Sequence, residues 1–139
     1  MVEETIKADG SAEGVALVAR AFDAFSAGNQ LPREVAQVAQ VALDEVLSNV
    51  VKAGFEPGAR SRSMDVTFGV AEGDLEIVVS YEGVPFDPLV RQDPDTRAAL
   101  DDRAVGGLGI YLVKKLMDGV SYERLEGANR LRMRKRIRP

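Results

Sequence analysis

The 139-residue sequence contains no cysteine and no histidine. Without cysteine the chain has no disulfide, no thiolate nucleophile and no thiolate zinc site. Without histidine it lacks the commonest general base and metal ligand. These absences exclude Ser-His-Asp hydrolases, histidine-ligated metal sites and a phosphohistidine relay on this chain. Any chemistry must therefore use carboxylates, Lys or Arg, amides, hydroxyls, backbone groups or a hard cation such as Mg²⁺.

Long apolar runs are also absent, and none approaches the roughly 18 to 20 residues that cross a bilayer. The first ten residues, MVEETIKADG, are acidic and contain no apolar signal core. We therefore expect a cytoplasmic protein without a membrane partner. The net charge of −4 argues against direct binding of nucleic acid. With no repeat or low-complexity tract, the length fits a single domain over residues 1–139.

Positive charge is concentrated near the end of the chain, in the segment NRLRMRKRIRP. Leu131, Met133 and Ile137 alternate there with Lys and Arg, which is the period-two pattern of a strand with one solvated face. Two interpretations stay open at this point. The basic side chains either face water from an ordinary strand or form a docking face for an acidic partner.

Hydrophobic periodicity and turn signals predict three helices and four strands. The predicted helices cover residues 11–27, about 33–53 and 108–118. The predicted strands cover residues 63–70, 74–81, 120–125 and 129–137, and the first two are joined by the hairpin signal AEGD. Helices before and after mostly antiparallel strands predict an α+β two-layer sandwich, in which helices cover one face of the sheet.

Three polar residues of the second helix, Glu45, Asn49 and Lys52, project together from the side opposite its apolar arc. One interpretation is a face that simply contacts water. The other is a binding site, because Val38 and Val41 interrupt that polar side and Asn is unfavourable inside a helix. A carboxylate one turn before an amide suits a general base beside an oxygen ligand of Mg²⁺.

Three glycines, Gly106, Gly107 and Gly109, stand at the start of the third helix, directly before its apolar-periodic run from Ile110. Glycines at the start of a helix let backbone N–H groups close on a phosphate at the positive end of the helix dipole. A plain loop that ends in a helix cap is the alternative. A Rossmann dinucleotide site is excluded, because Leu112 stands where the G-x-G-x-x-G fingerprint needs its third glycine, and because no βαβ pattern precedes the glycines. The sequence also contains no Walker A motif.

The polar stretch over about residues 83–105, rich in Pro and Asp, is too long for a plain connection in a compact domain. Because it leads into the glycines, we interpret it as a lid over a ligand.

Three segments together resemble the ATPase domain of the GHKL proteins, most closely the small anti-sigma factor, serine-protein kinase branch. LDEVLSNVVKAGF resembles the helix of that branch that carries a Glu four residues before an Asn. VVSYEGVPFDP resembles its strand-end segment, and GGLGIYLVKKLMDGVSY resembles its second glycine box. The similarity extends from the first helix to the last strand. It implies the GHKL fold, with an ATP lid at about residues 84–105.

The resemblance implies a role for each motif. Asn49 would give its side-chain oxygen to Mg²⁺ on the ATP phosphates, and Glu45 would accept a proton from an attacking hydroxyl. The three glycines would wrap the phosphates, and Gly83 would allow close approach to adenine. In the lid, arginines at positions 91, 97 and 103 offer positive charge.

Two positions depart from the family pattern. Tyr81 stands where the family has an Asp that accepts a hydrogen bond from the adenine amino group, and a hydroxyl accepts without charge. Losing a charge-assisted bond of about 1.5 to 3 kcal/mol would weaken ATP binding roughly ten- to hundredfold. Lys52 stands where these kinases often have His, and it either contacts a phosphate or is solvated.

The resemblance implies a Mg²⁺- and ATP-dependent serine/threonine kinase that phosphorylates a STAS-type anti-sigma antagonist and sequesters a sigma factor. Members of this branch often form homodimers. The alternative is a degenerate partner-binding module that keeps the fold and has weak or no ATP binding. Glu45, Asn49 and the glycines favour the kinase, and Tyr81 favours the module.

Overall fold

The computed structural model describes residues 2–85 and 107–138. The helices are α1 (Ala12–Gly28), α2 (Arg33–Asn49), a π-helix (Val50–Gly54) that continues α2, and α3 (Gly107–Leu116). The strands are β1 (Val2–Asp9), β2 (Ser63–Ala71), β3 (Asp74–Glu82), β4 (Gly119–Leu125) and β5 (Ala128–Arg136). None of the helices in these two ranges is long and apolar enough to span a membrane.

The five strands form one antiparallel sheet in the order β1-β2-β3-β5-β4. Alternate residues of the central strands are fully buried on the face that the helices cover: Met64, Val66, Phe68, Leu75, Ile77, Val79 and Met133. The hairpin predicted at AEGD is present, with Glu72 and Gly73 both at positive φ, as a two-residue type I′ turn requires. The predicted α+β two-layer sandwich is confirmed.

Helix α1 is anchored at its start by a cap and along its length by aromatic packing. The Ser11 side chain accepts a hydrogen bond from the backbone N–H of Gly14, 3.2 Å away, which satisfies one unpaired donor of the first turn. Phe22 and Phe25 place their ring centroids 5.1 and 5.5 Å from that of Phe68 on β2. This cluster joins the helical layer to the sheet.

The other face of the sheet is polar. Arg132 Nε lies 3.3 Å from Glu76 Oε1, and Arg130 and Arg134 each lie 3.6 Å from a carboxylate of a neighbouring strand. All of these side chains are about a third to a half exposed, so the pairs contribute little stability. The predicted final strand agrees with β5, and three of its arginines, Arg130, Arg132 and Arg134, face acidic neighbours of the same sheet.

Two differences from the sequence predictions have physical causes, and one prediction falls mostly outside the described residues. Periodicity does not predict β1, because this edge strand buries only Ala8 fully and Ile6 in part. The helix predicted over about 33–53 is α-helical only to Asn49 and then widens into the π-helix, which residue propensity does not encode. The predicted lid lies outside the described residues except for Val84 and Pro85.

Candidate functional site

Helices α2 and α3 bring the predicted polar pair and the glycine box together. A Cβ atom placed on Gly109 would lie 2.5 Å from Glu45 Oε2 and 3.8 Å from Asn49 Nδ2. A side chain at position 109 would therefore displace the Glu45 carboxylate. The Gly109 backbone lies directly against the Glu45–Asn49 pair, so three of the predicted site residues share one location.

A hydrogen bond to its own helix orients the Asn49 side chain. Asn49 Nδ2 donates to the backbone oxygen of Glu45 at 3.1 Å, so the side-chain oxygen is the atom available to a cation. Amide and carboxylate oxygens are hard ligands that suit Mg²⁺. Within residues 2–85 and 107–138, no group of three or more His, Cys, Asp or Glu is arranged to hold a metal ion. The Asn49 amide would supply one oxygen of the octahedral coordination that Mg²⁺ prefers.

The first turn of α3 lies beside this pair. The helix is ten residues long and begins at Gly107, so its first backbone N–H groups have no partner within the helix. These groups and the helix dipole favour an anion at this end. Gly106, the remaining glycine of the predicted box, lies outside the described residues.

The end of β3 packs tightly against the π-helix. A Cβ atom on Gly83 would lie 1.9 Å from the backbone oxygen of Gly54, and Val84 donates its N–H to that oxygen at 2.9 Å. Position 83 therefore requires a glycine, because the backbone oxygen of Gly54 occupies the space that a side chain would need. Its predicted role in admitting adenine stays a prediction.

Tyr81 is buried beside this glycine contact, with 7% of its surface exposed. Its ring meets the Phe55 ring edge-on, with centroids 5.7 Å apart, and its Cε2 atom would lie 2.9 Å from a Cβ on Gly54. Burial, aided by the nearby Tyr122, raises the pKa of Tyr81 to about 12 against the opposing effect of Arg124. At neutral pH the group is therefore an uncharged hydroxyl, which both donates and accepts hydrogen bonds.

Lys52 lies on the π-helix, three residues beyond Asn49, and is exposed. Exposure is compatible with a solvated ammonium group and with one that contacts a phosphate. Both interpretations of Lys52 therefore stay predictions.

A buried amide that sequence reasoning missed fixes the end of β3. Asn129 on β5 is 1% exposed, accepts hydrogen bonds from the Tyr122 hydroxyl and from Arg124 Nη1 (3.1 Å), and donates to the backbone oxygen of Val84 (2.9 Å). Arg124 Nη1 also donates to the backbone oxygen of Gly83 at 2.9 Å. The sequence does contain one indication of a special role for Asn129: it stands at the start of a predicted strand, where asparagine is unfavourable.

A family model identifies the fold family of the chain. The model of the histidine kinase-like ATPase domain matches residues 9–135. The chain belongs to this family. The match confirms the predicted GHKL membership, and Glu45, Asn49 and Gly109 lie within the matched residues.

Two curated relatives of this histidine kinase-like ATPase domain are named as protein kinases. The serine/threonine-protein kinase BtrW of Bordetella bronchiseptica is 31% identical over 88 residues, which cover 63% of this chain and 61% of that protein. The serine-protein kinase RsbW of Bacillus licheniformis is 34% identical over 85 residues, which cover 58% and 53%. The chain thus spans between about half and three-fifths of the length of these relatives.

Two solved structures share the fold. The RsbU and RsbW domains of a Mycobacterium tuberculosis protein superpose with a TM-score of 0.68 at 17% identity, covering 100% of this chain and 34% of that one. The SiaB-SiaC complex from Pseudomonas aeruginosa superposes with a TM-score of 0.58 at 14% identity, covering 95% and 88%. At these identities the similarity shows the histidine kinase-like ATPase fold alone.

Proposed function

We propose that this chain is an ATP-binding serine/threonine protein kinase of the anti-sigma factor type. In this proposal it phosphorylates a STAS-type anti-sigma antagonist and sequesters a sigma factor, in the cytoplasm and without direct contact to nucleic acid. The kinase names of the relatives that match at about 30% identity support the reaction class. The partners rest on the resemblance described above.

The contact of Gly109 with Glu45 and Asn49 is the observation that carries the proposal. It joins a hard oxygen ligand, a carboxylate and a glycine-rich helix start, which are the parts that a Mg²⁺-bound triphosphate needs. Phosphoryl transfer depends chiefly on such positioning and charge stabilisation. The residues present therefore fit Mg²⁺ and ATP.

Each residue of the cluster has one task in this proposal. Bound Mg²⁺-ATP supplies the phosphoryl group and the charge neutralisation that its transfer needs. The Asn49 side-chain oxygen holds the cation, and the backbone at Gly107 and Gly109 binds phosphate oxygens. The Glu45 carboxylate accepts the proton of the attacking serine or threonine hydroxyl.

Replacing Asn49 with alanine tests the metal site. We expect Asn49→Ala to weaken ATP binding when Mg²⁺ is present and to leave the affinity unchanged in EDTA, because the amide oxygen acts through the cation. Isothermal titration in the two buffers measures the difference.

Asn29→Ala is a matched control, because Asn29 Nδ2 also donates to the backbone oxygen four residues earlier, at 2.8 Å, but at the end of α1. It should leave ATP affinity unchanged in both buffers. Equal weakening of Asn49→Ala with and without Mg²⁺ would show that Asn49 is only structural.

Tyr81 favours a second candidate function, a degenerate partner-binding module. A buried, uncharged hydroxyl occupies the position at which the resemblance implies a carboxylate that selects adenine. In that case the fold and the partner surfaces are kept, and ATP affinity is weak or absent. Titration with ATP distinguishes the two candidates.

A further inference from the structure

A row of polar side chains crosses the sheet at the end where β3 finishes. Tyr81 on β3 stands opposite Asn129 on β5, and Asn129 stands opposite Arg124 on β4. Directly paired residues share a face of the sheet, and the burial of Tyr81 and Asn129 shows that this is the face covered by the helices. The row therefore consists of a phenol, an amide and a guanidinium, and it contains no carboxylate.

The π-helix connects this row to the proposed ligand of Mg²⁺. Asn49 is the last residue of α2, and Gly54, five residues later, is the last residue of the π-helix. The two are no more than about 8 Å apart along the helix axis at a rise of about 1.5 Å per residue. Tyr81 packs directly on Gly54. A nucleotide whose phosphates lie at Asn49 and Gly109 can therefore reach Tyr81 with its base by following the π-helix.

The oxygen atoms around the row are already engaged within the chain. Asn129 Oδ1 accepts hydrogen bonds from the Tyr122 hydroxyl and from Arg124 Nη1. The backbone oxygen of Gly83 accepts from the same Arg124 atom, and that of Val84 accepts from Asn129 Nδ2. An amide oxygen with two donors has both of its lone pairs in use. Asn129 therefore cannot replace a carboxylate as the acceptor for an incoming amino group.

The Tyr81 hydroxyl makes no hydrogen bond within residues 2–85 and 107–138. The residue is only 7% exposed, so water has little access to it, and a largely buried polar group without a partner is unusual. The groups that act on the hydroxyl electrostatically are Tyr122 and Arg124, and Arg124 brings a positive charge. Because the hydroxyl is uncharged at neutral pH, it can donate a hydrogen bond as well as accept one.

We propose that the nucleotide site accepts 6-oxopurine nucleoside triphosphates at least as well as ATP, with the Tyr81 hydroxyl in contact with position 6 of the base. A carboxylate only accepts, which selects the amino group of adenine. The hydroxyl accepts from that amino group and also donates to the carbonyl oxygen of hypoxanthine or guanine. The charge of Arg124 favours the carbonyl oxygen further, because it attracts the negative end of that dipole. This inference rests on the proposed function, in which Asn49 and Gly109 hold the phosphates.

ATP and ITP isolate this contact, because the two nucleotides differ only at positions 1 and 6 of the purine. Isothermal titration of the wild-type chain in Mg²⁺ gives both dissociation constants without any phosphate transfer. We expect ITP to bind as tightly as ATP or up to about tenfold more tightly, since a donor beside a positive charge makes the stronger hydrogen bond. A site that reads its base with an acceptor alone would instead bind ATP at least about tenfold more tightly than ITP.

Tyr81→Phe tests the assignment to the hydroxyl. Phenylalanine keeps the ring that packs on Phe55 and Gly54 and removes only the oxygen. We expect ATP and ITP each to bind about two- to tenfold more weakly, because each loses one hydrogen bond. Tyr111→Phe is the matched control, since it removes a hydroxyl from α3, where Lys115 Nζ lies 5.4 Å from the centroid of the Tyr111 ring. It should leave both dissociation constants unchanged, and melting temperatures show that both variants are folded.

Each outcome has a separate meaning. If the wild type binds ATP at least about tenfold more tightly than ITP, the inference is overturned and the kinase proposal stands. If Tyr81→Phe binds both nucleotides as the wild type does, the hydroxyl does not contact the base and the inference is likewise overturned. If the wild type binds neither nucleotide, the proposed function fails and the inference fails with it.

Discussion

Replacing Glu45 with glutamine is expected to slow phosphoryl transfer by about 10²- to 10⁴-fold while ATP affinity is retained. Glutamine keeps the shape of the side chain and a hydrogen-bonding oxygen, and Gly109 leaves room for it just as it does for the carboxylate. The negative charge and the ability to accept a proton at neutral pH are lost. Single-turnover transfer from ATP to the protein substrate, with ATP affinity measured separately, gives the two values.

Asp44→Asn provides the control for this experiment. Asp44 is the adjacent carboxylate on α2, and it accepts a hydrogen bond from Gln40 Nε2 at 2.9 Å, away from Gly109. Removing its charge should leave transfer within about a factor of two of wild type. Unchanged transfer in Glu45→Gln would remove Glu45 from the mechanism and leave positioning and Mg²⁺ as the main contributions.

Restoring an acid at position 81 is expected to change stability and binding in opposite directions. Tyr81→Asp removes a buried ring that packs on Phe55 and Gly54, so we expect a loss of about 3 to 5 kcal/mol in the free energy of unfolding. If the pocket is arranged around adenine, the carboxylate should tighten ATP by about 1 to 3 kcal/mol and sharpen the preference over GTP. Denaturant unfolding and nucleotide titration measure the two effects.

Tyr81→Asn separates charge from size in this comparison. Asparagine has nearly the same volume as aspartate and removes the same ring contacts, so it should share the loss of stability without the gain in adenine affinity. A folded Tyr81→Asp protein with no gain and no new discrimination between ATP and GTP would mean that the pocket is not built around adenine. The ATPase resemblance would then extend to the fold alone, and the partner-binding module would replace the kinase.

The local motifs of the site could be predicted because each has a periodic or compositional signature. Glu45 and Asn49 stand one helical turn apart, and glycines precede a clear amphipathic helix. Their meeting required the tertiary structure, because Gly109 reaches Glu45 only through the antiparallel packing of α2 and α3. The α+β class followed in the same way from helices that flank antiparallel strands.

The features that sequence reasoning missed depend on contacts between distant segments. Gly83 is explained by the backbone oxygen of Gly54, which no local pattern reveals. Asn129 begins the predicted basic strand, yet its amide is buried and holds the backbone at Val84. Strand β1 has too few buried residues for a period-two signal, because it lies at the edge of the sheet.

Titration of the wild-type chain with ATP, in Mg²⁺ and in EDTA, shows whether this domain binds the nucleotide through a cation. We expect saturable binding with a dissociation constant below about 1 mM in Mg²⁺, within the usual range for enzyme substrates, and clearly weaker binding in EDTA. Binding that is absent up to several millimolar ATP, or identical with and without Mg²⁺, would contradict it.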